Sequence, residues 1–289
     1  MNQPSLYRRA SAVQRRDAKQ IWQQYMKVMQ WRADGRDTLI DIGSGSGNVL
    51  MQYIYPIMPA QFDAVWAIDI SESMIDFARK NYGDSERSHF EVLDITCAQP
   101  WCNELKLPQR LCGQFDHVTS FYCLHWVQNQ KRALRNIYQL LRRSGGDCLL
   151  VFLANHSFFD VYIELSKSNK WGRYMTDTMR FVAPLYNSSD PRAEYSKLLH
   201  ANGFLDFSVD IRNKIFVYAG RQTLKDNLKA ISPYLSRVPE SQHEEFLDDM
   251  IQVLLKMKLC SGQINEEDFK CTTLYKLTEK VFGRKQGPY

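Results

Sequence analysis

The sequence predicts a doubly wound α/β fold built on a mostly parallel, seven-stranded sheet, and three observations carry that expectation. Short apolar runs alternate with segments of helical periodicity from residue 38 to residue 154. The runs are apolar at successive positions, as strands buried on both faces must be, and the first of them ends in a glycine-rich turn. In order, TLIDI (38–42) reads as strand one, NVLMQYIYP (48–56) as a helix, AVWAIDI (64–70) as strand two and SESMIDFARKNY (71–82) as a helix. HFEVLD (89–94) and FDHVTSFYC (115–123) supply strands three and four, RALRNIYQLLRR (132–143) a helix closed by Gly145 and Gly146, and DCLLVFLA (147–154) strand five. Ahead of them, Ile21, Tyr25 and Val28 beside Trp22, Met26 and Met29 mark an amphipathic helix within residues 6–30.

After Ala154 the pattern changes. Residues 156–182 form an aromatic-rich helical stretch, and the following helix has Asp190 as its cap, Pro191 in its first turn and Asn202-Gly203 at its end. The strand FSVDIRNKIFVY (207–218), helical patterns at 223–235 and 241–258, and a last strand FKCTTLYKLTEKV (269–281), placed at the sheet edge, complete the chain. This divides the sequence into an N-terminal helical lid (1–34), an α/β core (35–155), and remaining strands whose helical insertions form a cap (156–289).

With 289 residues, 44% hydrophobic and 12% aromatic, the chain has enough apolar surface for a sizeable core. No run of about 18 apolar residues exists, and the first twenty residues carry charge where a signal peptide would be apolar, so a cytoplasmic protein without stable membrane insertion is expected. The seven cysteines are odd in number and lack C-x-x-C spacing, which suggests reduced thiols rather than disulfides or a metal site. A net charge of +5 from 37 basic and 32 acidic residues is too mixed to indicate nucleic acid, and the cluster Arg8, Arg9, Arg15, Arg16, Lys19 reads as a solvated helix face.

The stretch LIDIGSGSGN (39–48) identifies the ligand class. Gly43, Ser44, Gly45 and Gly47 give G-x-G-x-G rather than the G-x-G-x-x-G that seats a pyrophosphate, and Asp41 just before the loop would repel one. An acid there suits an amino group or a sulfonium, which points to S-adenosylmethionine. Asp69 ends strand two, where a carboxylate can accept both hydroxyls of a ribose, and Asp94 ends strand three, where one can accept from an adenine amino group. Ile70, Met74 and Ile95 could sandwich the purine, and Phe121 at the end of strand four joins this cofactor-binding set. Taken singly, Asp69 could be a helix cap and Asp94 a turn residue; their succession at the ends of strands one, two and three is what argues for a cofactor.

The series LIDIGSGSGN, AIDIS..M and EVLDI resembles the class I S-adenosylmethionine-dependent methyltransferases over residues 35–155, which implies their Rossmann-like fold. Strand four ends in TSFYCLHWV (119–127), the end that faces the cofactor's methyl in such sheets. His125 and Trp126 are therefore acceptor-site candidates, although a His-Trp pair starting a helix can equally be packing. The insertions are rich in apolar rings, including Phe158, Phe159, Tyr162, Trp171, Phe181 and Tyr218; about half are expected to pack and the rest to wall a pocket.

Over nearly its whole length the chain resembles the insect juvenile hormone acid O-methyltransferases, through LYRRASAVQRRDA, the DIGSGSG loop and FYCLHWV. The resemblance implies farnesoic acid or juvenile hormone acid as acceptor, its carboxylate held by Gln14 and Trp126. A trans-aconitate-type methyltransferase, a nicotinamide dehydrogenase and a non-catalytic carrier or sensor stay open as alternatives. The only arginines within 156–186 are Arg173 and Arg180, fewer than a polyacid would need. The expected protein is thus a metal-free carboxyl methyltransferase, a monomer or weak homodimer, acting on a small hydrophobic acid.

Overall fold

The computed structural model describes residues 4–83, 86–97, 107–261 and 269–286. Eight strands form one sheet: β1 (Thr38–Ile42), β2 (Ala64–Asp69), β3 (Ser88–Val92), β4 (His117–Phe121), β5 (Gly145–His156), β6 (Leu205–Ala219), β7 (Cys260–Ser261) and β8 (Lys270–Gln286). Their order is β3-β2-β1-β4-β5-β8-β6, with β7 paired to β8. The first five are parallel, whereas β8 runs antiparallel to both β5 and β6. The expected sheet is therefore corrected twice: it has an eighth, two-residue strand, and its β5-β8-β6 part is antiparallel.

The last strand also lies between β5 and β6 rather than at an edge. Cys271, Thr273, Tyr275 and Leu277 are buried while Leu274 between them is exposed. Such alternation records that one face is covered. It carries no information on how many strands flank the segment, and this is why position within the sheet could not be read from it.

Eight α-helices accompany the sheet among the described residues: α1 (Pro4–Ala10), α2 (Ala12–Tyr25), α3 (Glu72–Tyr82), α4 (Gln130–Leu140), α5 (Ser157–Ser166), α6 (Pro191–Ala201), α7 (Arg221–Ile231) and α8 (His243–Lys256). Alternate strand residues feed two separate cores. Leu39, Val65, Leu149 and Val151 pack with α2, α5, α7 and α8, while Ile40, Ile42, Ile68 and Leu150 pack with α4 and α6. Burial on both faces is what the unbroken apolar runs require. None of these helices is long and apolar enough to cross a membrane.

Local signals fared unevenly. Asp190 caps α6 as expected, its side chain accepting the Ala193 N–H, and Pro191 opens the helix. The helix expected at 48–56 is present but irregular: residues 48–49 are α-helical, Leu50–Ile54 wind as a π-helix and Tyr55–Ile57, which contains Pro56, as a 3-10 turn. Gly145 and Gly146 do not close α4, which ends at Leu140; they open β5, where a Cβ on Gly146 would lie 2.8 Å from the Asp116 carbonyl. The stretch 156–182 holds one helix, α5, and two short 3-10 turns.

The chain order places a switch between β1 and β4, from whose carboxyl ends the following loops diverge; ligands bind at such points. The opposite end of the same strands is tied by charge. His117 opens β4 with Nδ1 2.6 Å from Asp147 and Nε2 3.0 Å from Asp37. The same two carboxylates accept the N–H groups of Gln30 and Arg32, which anchors the segment after α2 to the sheet. Burial opposes protonation of the imidazole, but its bonds to Asp147 and Asp37 outweigh burial and push its pKa up to about 9. Since this lies above the unfolded value of about 6.5, the stabilisation is complete below that pH and fades as pH rises through about 9. Denaturant titrations should show stability falling across this window in the parent and flattening in His117→Gln; an equal slope in both would assign the fall to other groups.

Candidate active site

At the carboxyl end of β1 the chain turns through three left-handed glycines, Gly43 (φ 69°), Gly45 (φ 55°) and Gly47 (φ 78°). Gly43 and Ser44 donate their N–H groups to the Ile68 carbonyl at 2.8 and 3.0 Å. A Cβ on Gly43 would lie 2.2 Å from the Cys123 sulfur, so the loop after β1 and the turn after β4 touch there. Gly47 lines none of the cavities below; it packs against α3, where its Cβ would lie 3.2 Å from that of Ala78.

A cavity of about 510 Å³ opens over this loop, within the size range of small-molecule sites. Gly43, Gly45, Asp69, Ile70, Met74, Asp94 and Ile95 line it. Asp69 is pinned by two backbone donors, Gly45 N–H at 2.9 Å on Oδ2 and Ser71 N–H at 2.9 Å on Oδ1. Each oxygen keeps a lone pair for a ligand. Burial raises its pKa against these bonds. Asp94 accepts both the N–H and the hydroxyl of Thr96 at 2.8 Å, so it is a turn residue as well as part of the wall. Ile70 is 70% exposed and forms the open side.

Asp41, Ser44 and Phe121 line a second, smaller cavity of about 20 Å³ with Gly43, Gln14 and Ser46. Burial pushes the Asp41 carboxyl up to about 7, against the hydrogen bond it accepts from Thr119 at 2.7 Å. Around it the Ser44 and Ser46 hydroxyls and the Asn48 amide nitrogen are buried and unpartnered. A cluster of unpaired polar groups beside a buried acid fits an amino-acid head group carrying both ammonium and carboxylate.

Gln14, His125 and Trp126 come together around a third cavity of about 40 Å³, walled by Phe158, Phe159 and Tyr162. The insertion rings expected to wall a pocket line this one, which is small. These rings fill most of it, leaving space on the scale of a water or two. The larger free volume lies across Trp126, in the 510 Å³ cleft, against Val127, Phe181, Ile231 and Pro233. In the third cavity Gln14 Oε1, His125 Nδ1 and the Tyr162 hydroxyl are buried without partners. Burial, with His156 nearby, pushes His125 down to about 3, so its ring is neutral. Of the other insertion rings, Trp171 packs against Phe246 and donates to Asp249 at 2.7 Å.

Sequence reasoning missed several residues. Tyr7 lines all three cavities. Tyr122 lines two of them from a left-handed backbone that no aromatic residue advertises. Asp17 is wholly buried on α2, and Arg16, whose side chain stays 45% exposed as a solvated face requires, bonds to it and to Tyr275. A signal existed for Asp17: Val13, Asp17 and Ile21 share one helical stripe, an acid among apolar residues. Among the described residues no group of three or more His, Cys, Asp or Glu is placed to hold a metal, and the six described cysteines are free.

Residues 40–147 match the family described as a methyltransferase domain. A juvenile hormone acid O-methyltransferase from Drosophila melanogaster is 51% identical over 277 residues, 96% of this chain and 90% of that protein. The Bombyx mori protein of the same name is 36% identical over 269 residues, 92% of each. Among solved structures, the YcgJ protein from Bacillus subtilis aligns with a TM-score of 0.53 at 17% identity, covering 93% of this chain and 99% of that one, a likeness of fold alone.

The Gly43 contact can be separated from ordinary backbone strain. Gly113 has a similar φ of 71°, but no atom lies within 4 Å of the place its Cβ would take. Gly113→Ala should cost about 1 kcal/mol in denaturant midpoint experiments, and Gly43→Ala about 2 to 5, the excess coming from the clash with Cys123. Equal losses would show that the two loops can part freely.

Proposed function

The chain belongs to the juvenile hormone acid O-methyltransferases, and on that premise we propose that it transfers a methyl group from S-adenosylmethionine to the carboxylate of a long apolar acid, juvenile hormone acid or farnesoic acid. The observation that carries this reading is the 510 Å³ cleft that is lined both by acids and a glycine loop and by Val127, Phe181, Ile231 and Pro233, with Trp126 shared between it and a small cavity of unpaired polar atoms.

S-adenosylmethionine supplies the electrophilic methyl when bound. Asp69 would hold its ribose, Asp94, Ile70, Met74 and Ile95 its adenine, and Asp41 with Ser44 and the Gly43–Gly47 loop its amino-acid end. Residues 1–34 then act as a lid carrying Tyr7 and Gln14, 35–155 as the cofactor core and 156–289 as the acceptor cap. The acceptor chain would lie along Val127, Phe181, Ile231 and Pro233. Burying about a dozen CH₂ groups at about 0.8 kcal/mol each offers on the order of 10 kcal/mol. Among the described residues Arg180 is the single Lys or Arg lining that cleft, too little charge for a polyacid.

A carboxylic acid with a pKa near 4 is ionised at neutral pH, so no general base is needed. The residues have to orient the anion, exclude water and donate hydrogen bonds without a full opposing charge. Gln14, neutral His125 and the Trp126 indole suit that role, because a lysine would stabilise the anion and lower its nucleophilicity. Holding the reacting groups in line can contribute about 7 to 11 kcal/mol.

Labelled-cofactor assays against farnesoic, juvenile hormone, fatty and aconitic acids should give product from the terpenoid acids. Gln14→Ala and Trp126→Ala should each lower kcat/KM about 10- to 100-fold, the worth of a hydrogen bond to a charged group, with cofactor affinity unchanged. Parent rates in either variant would remove that residue from the acceptor site.

Asp41 makes cofactor binding pH-dependent. Its carboxyl takes up a proton below about pH 7, and a bound ammonium favours the ionised form. Binding below that pH therefore releases a proton, and affinity should rise with pH up to about 7 and then level off. Calorimetry in buffers of different ionisation enthalpy reads the proton directly; no difference between pH 6 and pH 8, or the same slope in Asp41→Asn, would exclude this role for Asp41.

A further inference from the structure

Among the described residues three that are not glycine adopt left-handed backbones, Tyr122 (φ 57°), Asp206 (φ 50°) and Lys258 (φ 58°). Lys258 follows the end of α8, where that conformation is ordinary, and aspartate tolerates it. Tyr122 is different: aromatic, 7% exposed, and located between the end of β4 and the turn that carries His125 and Trp126. A bulky residue keeps such a backbone only where its surroundings over-determine it.

Those surroundings are explicit. The Tyr122 N–H donates to the Val151 carbonyl at 2.7 Å, and its hydroxyl donates to Asp17 Oδ2 at 2.6 Å. The same oxygen accepts the Tyr275 hydroxyl from β8 at 2.7 Å. The other oxygen accepts from Arg16 Nε at 3.0 Å and from Lys214 Nζ at 3.4 Å. Asp17 is 0% exposed and lies one helical turn after Gln14 on α2. Burial keeps both tyrosine hydroxyls protonated, and so both are donors. From Tyr122 the chain passes to Cys123, which fills the space above Gly43, and the Cys123 carbonyl accepts the Trp126 N–H at 2.9 Å.

We propose that Asp17 is a positioning residue for methyl transfer: through the Tyr122 hydroxyl it locks the His125–Trp126 turn in register with Gln14, so that donors from two distant parts of the chain converge on one acceptor carboxylate. This rests on the carboxyl-transfer reading above. Asp17 contacts no cofactor residue and lines none of the three cavities. Its effect therefore falls on alignment rather than on affinity for the cofactor. Tyr275 shares its oxygen but not its path to the turn, and it too lines none of the three cavities.

That difference supplies a matched test. Replacing Asp17 would strip several donors at once and endanger folding, whereas Tyr122→Phe and Tyr275→Phe each delete one hydroxyl of nearly equal bond length from the same oxygen. Tyr275 also accepts from Arg16 at 2.6 Å, so as a stability element its deletion should lower Tm at least as much as Tyr122→Phe. Tyr122→Phe is expected to lower kcat about tenfold or more with KM for S-adenosylmethionine unchanged within about twofold, and Tyr275→Phe to keep kcat within about twofold. Amide hydrogen exchange over residues 122–127, followed by mass spectrometry, should accelerate in Tyr122→Phe and not in Tyr275→Phe. Equal loss of kcat in both variants, or parent rates and parent exchange in Tyr122→Phe, would overturn the proposal. If the parent protein methylates none of the acids, that result defeats the reaction assigned above, while the exchange comparison still upholds or overturns the anchoring of the turn.

Discussion

The site depends on a missing side chain. Because residue 43 is a glycine, the sulfur of Cys123 can occupy the place its Cβ would take, and the loop leaving β1 touches the turn leaving β4. Every other feature of the site is placed relative to that contact. On one side Gly45 reaches Asp69 through its N–H; on the other, Tyr122, His125 and Trp126 line the third cavity. A methyl donor and its acceptor must approach within bonding distance. The proposed arrangement meets that demand by placing both in one cleft, which Asp69 and Asp94 line together with Phe181 and Ile231.

Charge is handled differently at the two ends of the strands. At the amino end His117 sits between Asp147 and Asp37, and the carboxylates hold it protonated despite burial. At the carboxyl end burial prevails, raising Asp41 to about 7 against its hydrogen bond from Thr119 and leaving His125 neutral. The first arrangement stabilises the sheet and the segment after α2. The second keeps charge low until ligands bring their own, which suits a reaction whose sulfonium and carboxylate charges cancel as the bond forms. Fixed cations around the acceptor would have bound the anion more tightly and made it less reactive.

The apolar rings of the insertions divide their labour. Phe158, Phe159 and Tyr162 crowd the cavity behind Trp126, while Phe181 with Ile231 and Pro233 borders the open cleft in front of it. The Gln128 side chain donates to the Arg180 and Val182 carbonyls at 2.9 and 3.0 Å, which ties the segment bearing Phe181 to the acceptor turn. The segment bearing Phe181, the turn it is tied to and, through Tyr122 and Asp17, the first long helix are thus linked by hydrogen bonds that reach on to Tyr275 in β8.

What the sequence determined by itself is whatever depends on neighbours along the chain. The parallel core follows from short, largely apolar runs alternating with helical segments, the cap of α6 from Asp190 and Pro191, and the glycine loop with its acids from residues standing at strand ends. The first long helix, the insertion aromatics and the candidates His125 and Trp126 were legible from pattern and place, Gln14 only through resemblance. Tertiary structure decided the remainder, because each such feature depends on a partner remote in sequence. The place of β8 between β5 and β6 depends on two flanking strands, and the closing of the rings behind Trp126 depends on helices packed from the other end of the chain. The left-handed backbone of Tyr122 is held by an acid 105 residues away, and a conformation with so distant a cause leaves no local trace in composition or periodicity.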